Sequence, residues 1–95
     1  MTRLAPSGPE SFLVLYPGEG EVVEASRCRF LIDAPDRRVE IAIDGEHWDA
    51  CRLGGGYWWF ERSGLTPGRH QALIRCEGPS GRPPVQRAVR FLVAA

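Results

Sequence analysis

VEIAIDGEHWDACRL (39–53), GGG (54–56), YWWFERSGL (57–65), TPGRH (66–70) and QALIRCE (71–77) follow one another without a break. Each apolar run is short, alternates with polar residues and stops at glycine or proline, the pattern of strands joined by tight turns. In 38–44 the side chains of Val39, Ile41 and Ile43 fall on one side of an extended backbone, because successive strand residues point to opposite faces. Asp44-Gly45 is a hairpin signal between such runs. Residues 47–53 then give a short strand, Gly54-Gly55-Gly56 a flexible joint, and 57–62 a dense aromatic strand. Pro67 and Gly68 take the central positions of a type II turn, and His70 is expected to cap it through a ring-to-backbone hydrogen bond. The strand after it puts Ala72, Ile74 and Cys76 on one face.

The same reading extends to both sides. FLVLYP (12–17) is a strand stopped by Pro17-Gly18, and GEGEVVEAS (18–26) reads as a loop carrying an apolar plug, Val22-Val23. RCRFLID (27–33) turns Cys28, Phe30 and Ile32 inward; APDR (34–37) is a turn. GPSGRPP (78–84) is a proline-rich loop, and VQRAVRFLV (85–93) sets Val89, Phe91 and Val93 inward against Arg87, Arg90 and Leu92. Residues 1–11 form a loose tail ahead of one domain over 12–95. No stretch of helical period escapes glycine or proline. The fold class is therefore all-β, an antiparallel β-sandwich of about seven strands.

Composition excludes several function classes. The 95 residues suffice for one modest core. Formal net charge is zero, so no global field draws the chain to nucleic acid or anionic lipid. All 12 basic residues are arginine, which reads first as genome composition. No apolar run reaches the roughly 18 residues of a membrane-spanning helix, and MTRLAPSGPE (1–10) lacks the apolar core of a secretory signal. A complete chain is thus expected in the cytoplasm, and a fragment of an exported protein in the periplasm or outside the cell.

The order YPGEGEVV (16–23), VEIAIDGEHW (39–48), GGYWWF (55–60), SGLTPGRHQALIRCEGPSG (63–81) and VRFLV (89–93) resembles bacterial immunoglobulin-like domains of the early-set type. It is similar to the immunoglobulin-like C-terminal modules of some bifunctional penicillin-binding proteins. The resemblance implies one sheet of 12–16, 27–33 and 57–62, another of 38–44, 70–77 and 85–93, and 47–53 as an edge connector. It implies a spacer, a docking surface or a sugar-binding accessory, since the shared motifs are structural and specify no reaction. The chain departs from antibody domains: 38–44 has no core tryptophan, and Ile74 stands where a tyrosine-corner Tyr would be, a role that falls to His70. The resemblance also puts Cys28 and Cys76 on the strands that carry an inter-sheet disulfide. Bridged, they would contribute about 4 kcal/mol through the closed loop; reduced, they behave as small buried hydrophobes, the state a cytosol maintains.

Candidate chemistry is sparse. Three cysteines without a CxxC spacing make neither a disulfide scaffold nor a zinc motif, and Cys51 reads as a lone exposed or half-buried thiol. His47 and Cys51 are about 13 Å apart along a strand, so with His70 they make no metal site. Asp44, Glu46 and Asp49 cluster at a hairpin tip without the pocket that a catalytic pair needs. No cofactor, metal or catalytic residue is expected.

The aromatic cluster carries the functional expectation. Trp58 and Trp59 are neighbours on a strand and must face opposite sides, so a sandwich this small encloses one of them; which one stays open. With Trp48 and Tyr57 nearby, and Arg29 and Arg62 on or beside the same sheet, a large aromatic reaches a surface of the kind that binds partners. Arg27, Arg29 and Arg62 are candidates to pair with Glu21 or Glu24, or to lie over the outer indole. The expected function is a non-catalytic interaction module that binds a protein partner or itself through an aromatic face, or through β-augmentation near 47–53. The alternatives are a carbohydrate-binding accessory module that stacks sugars on the tryptophans, and a structural spacer. Neither nucleic acid nor membrane is an expected partner.

Overall fold

The computed structural model describes residues 12–24, 27–34, 38–77 and 83–95. The expected tail 1–11, most of the APDR turn and most of the 78–84 loop lie outside the described residues. Among the described residues the strands are β1 Leu13–Tyr16, β2 Glu21–Val23, β3 Arg27–Asp33, β4 Val39–Ile43, β5 Asp49–Ala50, β6 Arg52–Gly54, β7 Tyr57–Ser63, β8 Gly68–Cys76 and β9 Val85–Val93. They form two sheets, β1-β3-β7-β6 and β2-β9-β8-β4-β5. This is the expected all-β sandwich, with the six long strands divided between the sheets as expected.

Two segments differ from the sequence reading. Residues 47–53 are not one edge strand. β5 pairs with β4 in one sheet and β6 pairs with β7 in the other, with Cys51 between them donating its N–H to the Val39 carbonyl at 2.9 Å. Val22-Val23 is not a plug in a loop but part of β2, which runs parallel to β9. Three residues are too few for alternation to reveal a strand; what places β2 is its surroundings. The chain changes sheet at the cis Tyr16-Pro17 bond. Glu19 then accepts from both the N–H and the Nε of Arg90, and Gly20 N–H bonds the Arg90 carbonyl at 2.7 Å.

The turns follow glycine chemistry. Asp44 (φ 56) and Gly45 (φ 75) are both left-handed, as a type I′ turn requires, and Glu46 N–H closes it on the Ile43 carbonyl at 3.0 Å. The three glycines are not a loose joint. Gly54 ends β6, and Gly55 (φ 62) with Gly56 (φ 88) makes a two-residue hairpin into β7.

The inner faces are those that alternation indicates: Cys28, Phe30 and Ile32 from β3, Val39, Ile41 and Ile43 from β4, Ala72, Ile74 and Cys76 from β8, and Val89, Phe91 and Val93 from β9 are all buried. Phe30 meets Phe91 edge-on at 5.6 Å across the sandwich. Arg87 shares the parity of Val89 and so leaves the inner face, not the outer one. At the end of the sandwich its Nε donates to the Phe12 carbonyl at 2.8 Å and its guanidinium lies 5.6 Å from the Phe12 ring.

Cys28 and Cys76 sit on the expected strands but at opposite ends of them. Cys28 pairs with Arg62, whose guanidinium reaches Glu46 beyond the end of β4, whereas Cys76 pairs with Val39 at its beginning. Phe30, next inward-facing residue to Cys28, contacts Phe91, and Phe91 is in register with His70. From His70 to Cys76 the strand advances roughly 20 Å, and a disulfide needs Cα atoms within about 7 Å. Of the two states the sequence leaves open, the geometry favours the thiols: Cys28, Cys51 and Cys76 are buried and not joined by a disulfide. Cys51 is not an exposed thiol. It faces inward as the chain crosses between sheets.

Candidate interaction surface

β7 separates its two indoles as extended backbone demands. Trp58 turns into the core, 9% exposed, and Trp59 lies half-buried on the outer face of the β1-β3-β7-β6 sheet. The Trp59 ring is fixed. Its Nε1–H donates to the Gly54 carbonyl at 2.9 Å, so the indole leans along the hairpin over a residue with no side chain. Register places Leu31 on one side of Trp59 and Arg52 on the other. The Arg29 guanidinium is 5.9 Å from the ring centroid and is held by Glu61, with Nη2 to Oε2 at 2.8 Å. That distance allows a cation–π attraction without sealing the ring face. Beside it runs a groove of about 470 Å³ lined by Arg29, Ala50, Arg52, Trp59, Phe60 and Glu61. Tyr57, also exposed, belongs to the same outer face.

The other candidates lie elsewhere. Trp58 is buried in the core. Arg62 alternates inward and bonds Glu46 at 2.8 Å at the end of the sandwich, away from Trp59. Trp48 belongs to the opposite sheet, where the Arg75 guanidinium stacks on its ring at 3.9 Å and bonds Glu40 at 2.8 Å. Continuing the Ile41–Asp49 register sets Trp48 opposite Ala42, which faces away from the core yet is 2% exposed. Trp48 is thus a cover for its own sheet. Of the arginines considered, Arg29 does meet the outer indole, and its ion partner is Glu61, not Glu21 or Glu24.

Arg52, Phe60, Glu61 and Ala50 were not singled out from sequence. A signal for Arg52 was present: a two-residue Gly55-Gly56 turn pairs 54 with 57, and hence 52 with 59. Ala50 had none, because it reaches the groove only through the crossing between sheets.

His70 forms a polar clamp at the end of the sandwich, within electrostatic reach of Arg62. Nε2 faces the Thr66 carbonyl at 2.6 Å, the expected turn cap, and Nδ1 faces Asp44 Oδ2 at 2.5 Å. The second Asp44 oxygen accepts from Gln71 N–H at 2.9 Å. Two acceptors on one imidazole call for two ring protons. Partial burial works against the charged ring, but the Thr66 carbonyl and Asp44 outweigh it and hold the His70 pKa above its ordinary value. Partial burial likewise opposes the Asp44 carboxylate, and Gln71 N–H, His70 and Arg62 together hold its pKa down. His47 instead pairs with Asp49 at 3.2 Å, so the two histidines and Cys51 do not converge.

No family model matches the chain, and no curated protein matches it in sequence. Solved structures with the same fold include an engineered protein (TM-score 0.72, 10% identity, 88% of this chain and 20% of that one). Another is the endo-β-1,4-mannanase of Thermotoga petrophila (TM-score 0.71, 13% identity, 88% of this chain and 19% of that one). The chain spans only about a fifth of those two. The fibronectin(III)-like modules of Clostridium thermocellum CbhA match at TM-score 0.68 and 15% identity, over 87% of this chain and 94% of that one. At these identities the likeness is one of fold: an immunoglobulin-like and fibronectin(III)-like β-sandwich.

Proposed function

We propose that this chain is a non-catalytic immunoglobulin-like interaction module. It binds a protein partner, or a second copy of itself, through the outer face of the β1-β3-β7-β6 sheet. The observation that carries the reading is Trp59: a large ring fixed by its bond to Gly54, half open to solvent, beside Arg29, Arg52 and a groove. A ring already held in place loses little freedom on binding, and aromatic and arginine side chains of this kind dominate binding energy at interfaces. Kinship with the bacterial early-set modules, including those of penicillin-binding proteins, belongs to the same proposal.

The test is light scattering and sedimentation across a concentration series for wild type and Trp59→Ala. Association that disappears in the variant while the domain remains folded, with only the modest stability loss of one hydrogen bond and partial burial, supports the reading. Association that persists in the variant removes Trp59 from it. A second reading has its own observation: a flat indole bordered by Arg29, Arg52 and Glu61 is also the chemistry of a sugar platform. Tryptophan fluorescence titrated with soluble glucans and mannans separates the two, because a sugar stacked on Trp59 shifts its emission and a spacer domain responds to neither experiment.

A further inference from the structure

The groove beside Trp59 borders an uncovered strand. β6 pairs only with Tyr57, Trp58 and Trp59, while β7 continues to Ser63. β6 can go no further because Cys51 is bonded to Val39 of the other sheet. Gly55 and Gly56 make a two-residue turn, so Gly54 and Tyr57 are the hydrogen-bonded pair that closes it. Ladder alternation then directs the N–H and C=O of Trp58, Phe60 and Arg62 toward β3, and those of Tyr57, Trp59, Glu61 and Ser63 toward the β6 side. For Glu61 and Ser63 that side holds no strand among the described residues.

Side chains at this level are consistent with a missing neighbour. Phe60 faces inward and packs on Phe30 at 6.3 Å, yet it is half-buried where Phe30 is fully enclosed. Arg62, the charged inward-facing residue of the segment, is drawn off to Glu46 and does not cover the edge. On the outer face Glu61 is already neutralised by Arg29, and Arg52, exposed at the start of β6, makes no ion pair among the described residues. The uncompensated charge in the groove is therefore positive.

We propose that an extended segment of a protein partner adds as a strand beside Glu61–Ser63. It turns an apolar side chain inward against Phe60 and an acidic side chain outward to Arg52. The backbone groups that meet no strand on that side supply its ladder, the half-buried ring its apolar contact, and Arg52 its charge preference. The inference rests on the interaction-surface reading and narrows it to an edge and a ligand chemistry. It also moves the expected augmentation site from 47–53, which is divided between the sheets, to the open side of β7.

The probes are two capped heptapeptides, one alternating valine with glutamate and the other valine with lysine, titrated into the ¹⁵N-labelled chain. The glutamate peptide is expected to shift the Glu61 and Ser63 amides and slow their hydrogen exchange. The lysine peptide is expected to bind about fivefold more weakly, the equivalent of one exposed ion pair. Arg52→Glu should erase that preference without touching the fold. Glu61→Pro should abolish protection, since it removes an edge N–H that β3 does not use. Unprotected Glu61 and Ser63 amides at saturating glutamate peptide overturn the added strand. If shifts centre on Tyr57 and Trp59 alone, the strand is wrong and the surface reading survives; no response at either place overturns both. Equal binding of the two peptides overturns the acidic preference. Protection of the same amides that rises with protein concentration alone identifies the occupant as a second copy and overturns the separate partner.

Discussion

Asp44 and His70, 26 residues apart, face each other at 2.5 Å, and the contact ties the β4–β5 turn to the start of β8. The imidazole also caps Thr66 at 2.6 Å and stacks on Phe91 with centroids 5.7 Å apart. A single ring therefore joins two connections and the core.

That clamp predicts a pH dependence. The folded His70 pKa is raised above 6.5, so its contribution is complete below pH 6.5 and is lost as pH rises through the folded value. The folded Asp44 pKa lies below 3.8, so its contribution is complete above pH 3.8 and is lost as pH falls through the folded value. The melting temperature of the wild type should decline from about pH 6 to about pH 8, the range in which histidine titrates. His70→Gln should start lower and show a flatter profile; an equally steep profile in the variant would assign the dependence to other groups.

The neighbouring indoles should separate cleanly by stability. Trp58→Ala removes a core ring and should cost about 3–5 kcal/mol, enough to unfold much of a domain this size. Trp59→Ala gives up one hydrogen bond and partial burial and should cost about 1–1.5 kcal/mol. Chemical denaturation of both variants decides the ordering, and a larger cost at Trp59 would place it in the core.

The thiols should be unreactive in the native state. Burial, with Glu21 nearby, pushes the Cys28 thiol up to about 11. Burial, with Glu40 and Asp49, pushes Cys51 up to about 12. Since thiolate is the reactive form, a disulfide-exchange reagent at neutral pH should titrate these groups only after denaturant is added. Mass spectrometry after oxidation of the folded protein should find no Cys28–Cys76 bond. Finding that bond would contradict the placement of the two residues at opposite ends of the sandwich.

Trp48 and Arg75 should matter for stability rather than binding. Arg75→Ala removes a guanidinium 3.9 Å from the ring and its bond to Glu40. The cation–π contact is worth about 0.5–1 kcal/mol at an accessible site. Thermal unfolding should show that loss, and Trp48 fluorescence should shift to the red, while any association that depends on Trp59 is unchanged.

The chain by itself determined the inner faces of the long strands. Val39, Ile41 and Ile43, or Val89, Phe91 and Val93, are compelled to one side by a period of two, and burial then fixes which side is in. It also determined that Trp58 and Trp59 diverge and that Asp44-Gly45 turns. The tertiary structure alone decided where residues distant in sequence meet. The crossing at Cys51 divides 47–53 and opens the edge of β7; the Glu19–Arg90 contact recruits β2. Strand register along the sandwich axis carries Cys28 and Cys76 to opposite ends. Local alternation reports which face a side chain takes but not its height along the strand or the strand across from it, because those depend on the packing of one sheet upon another.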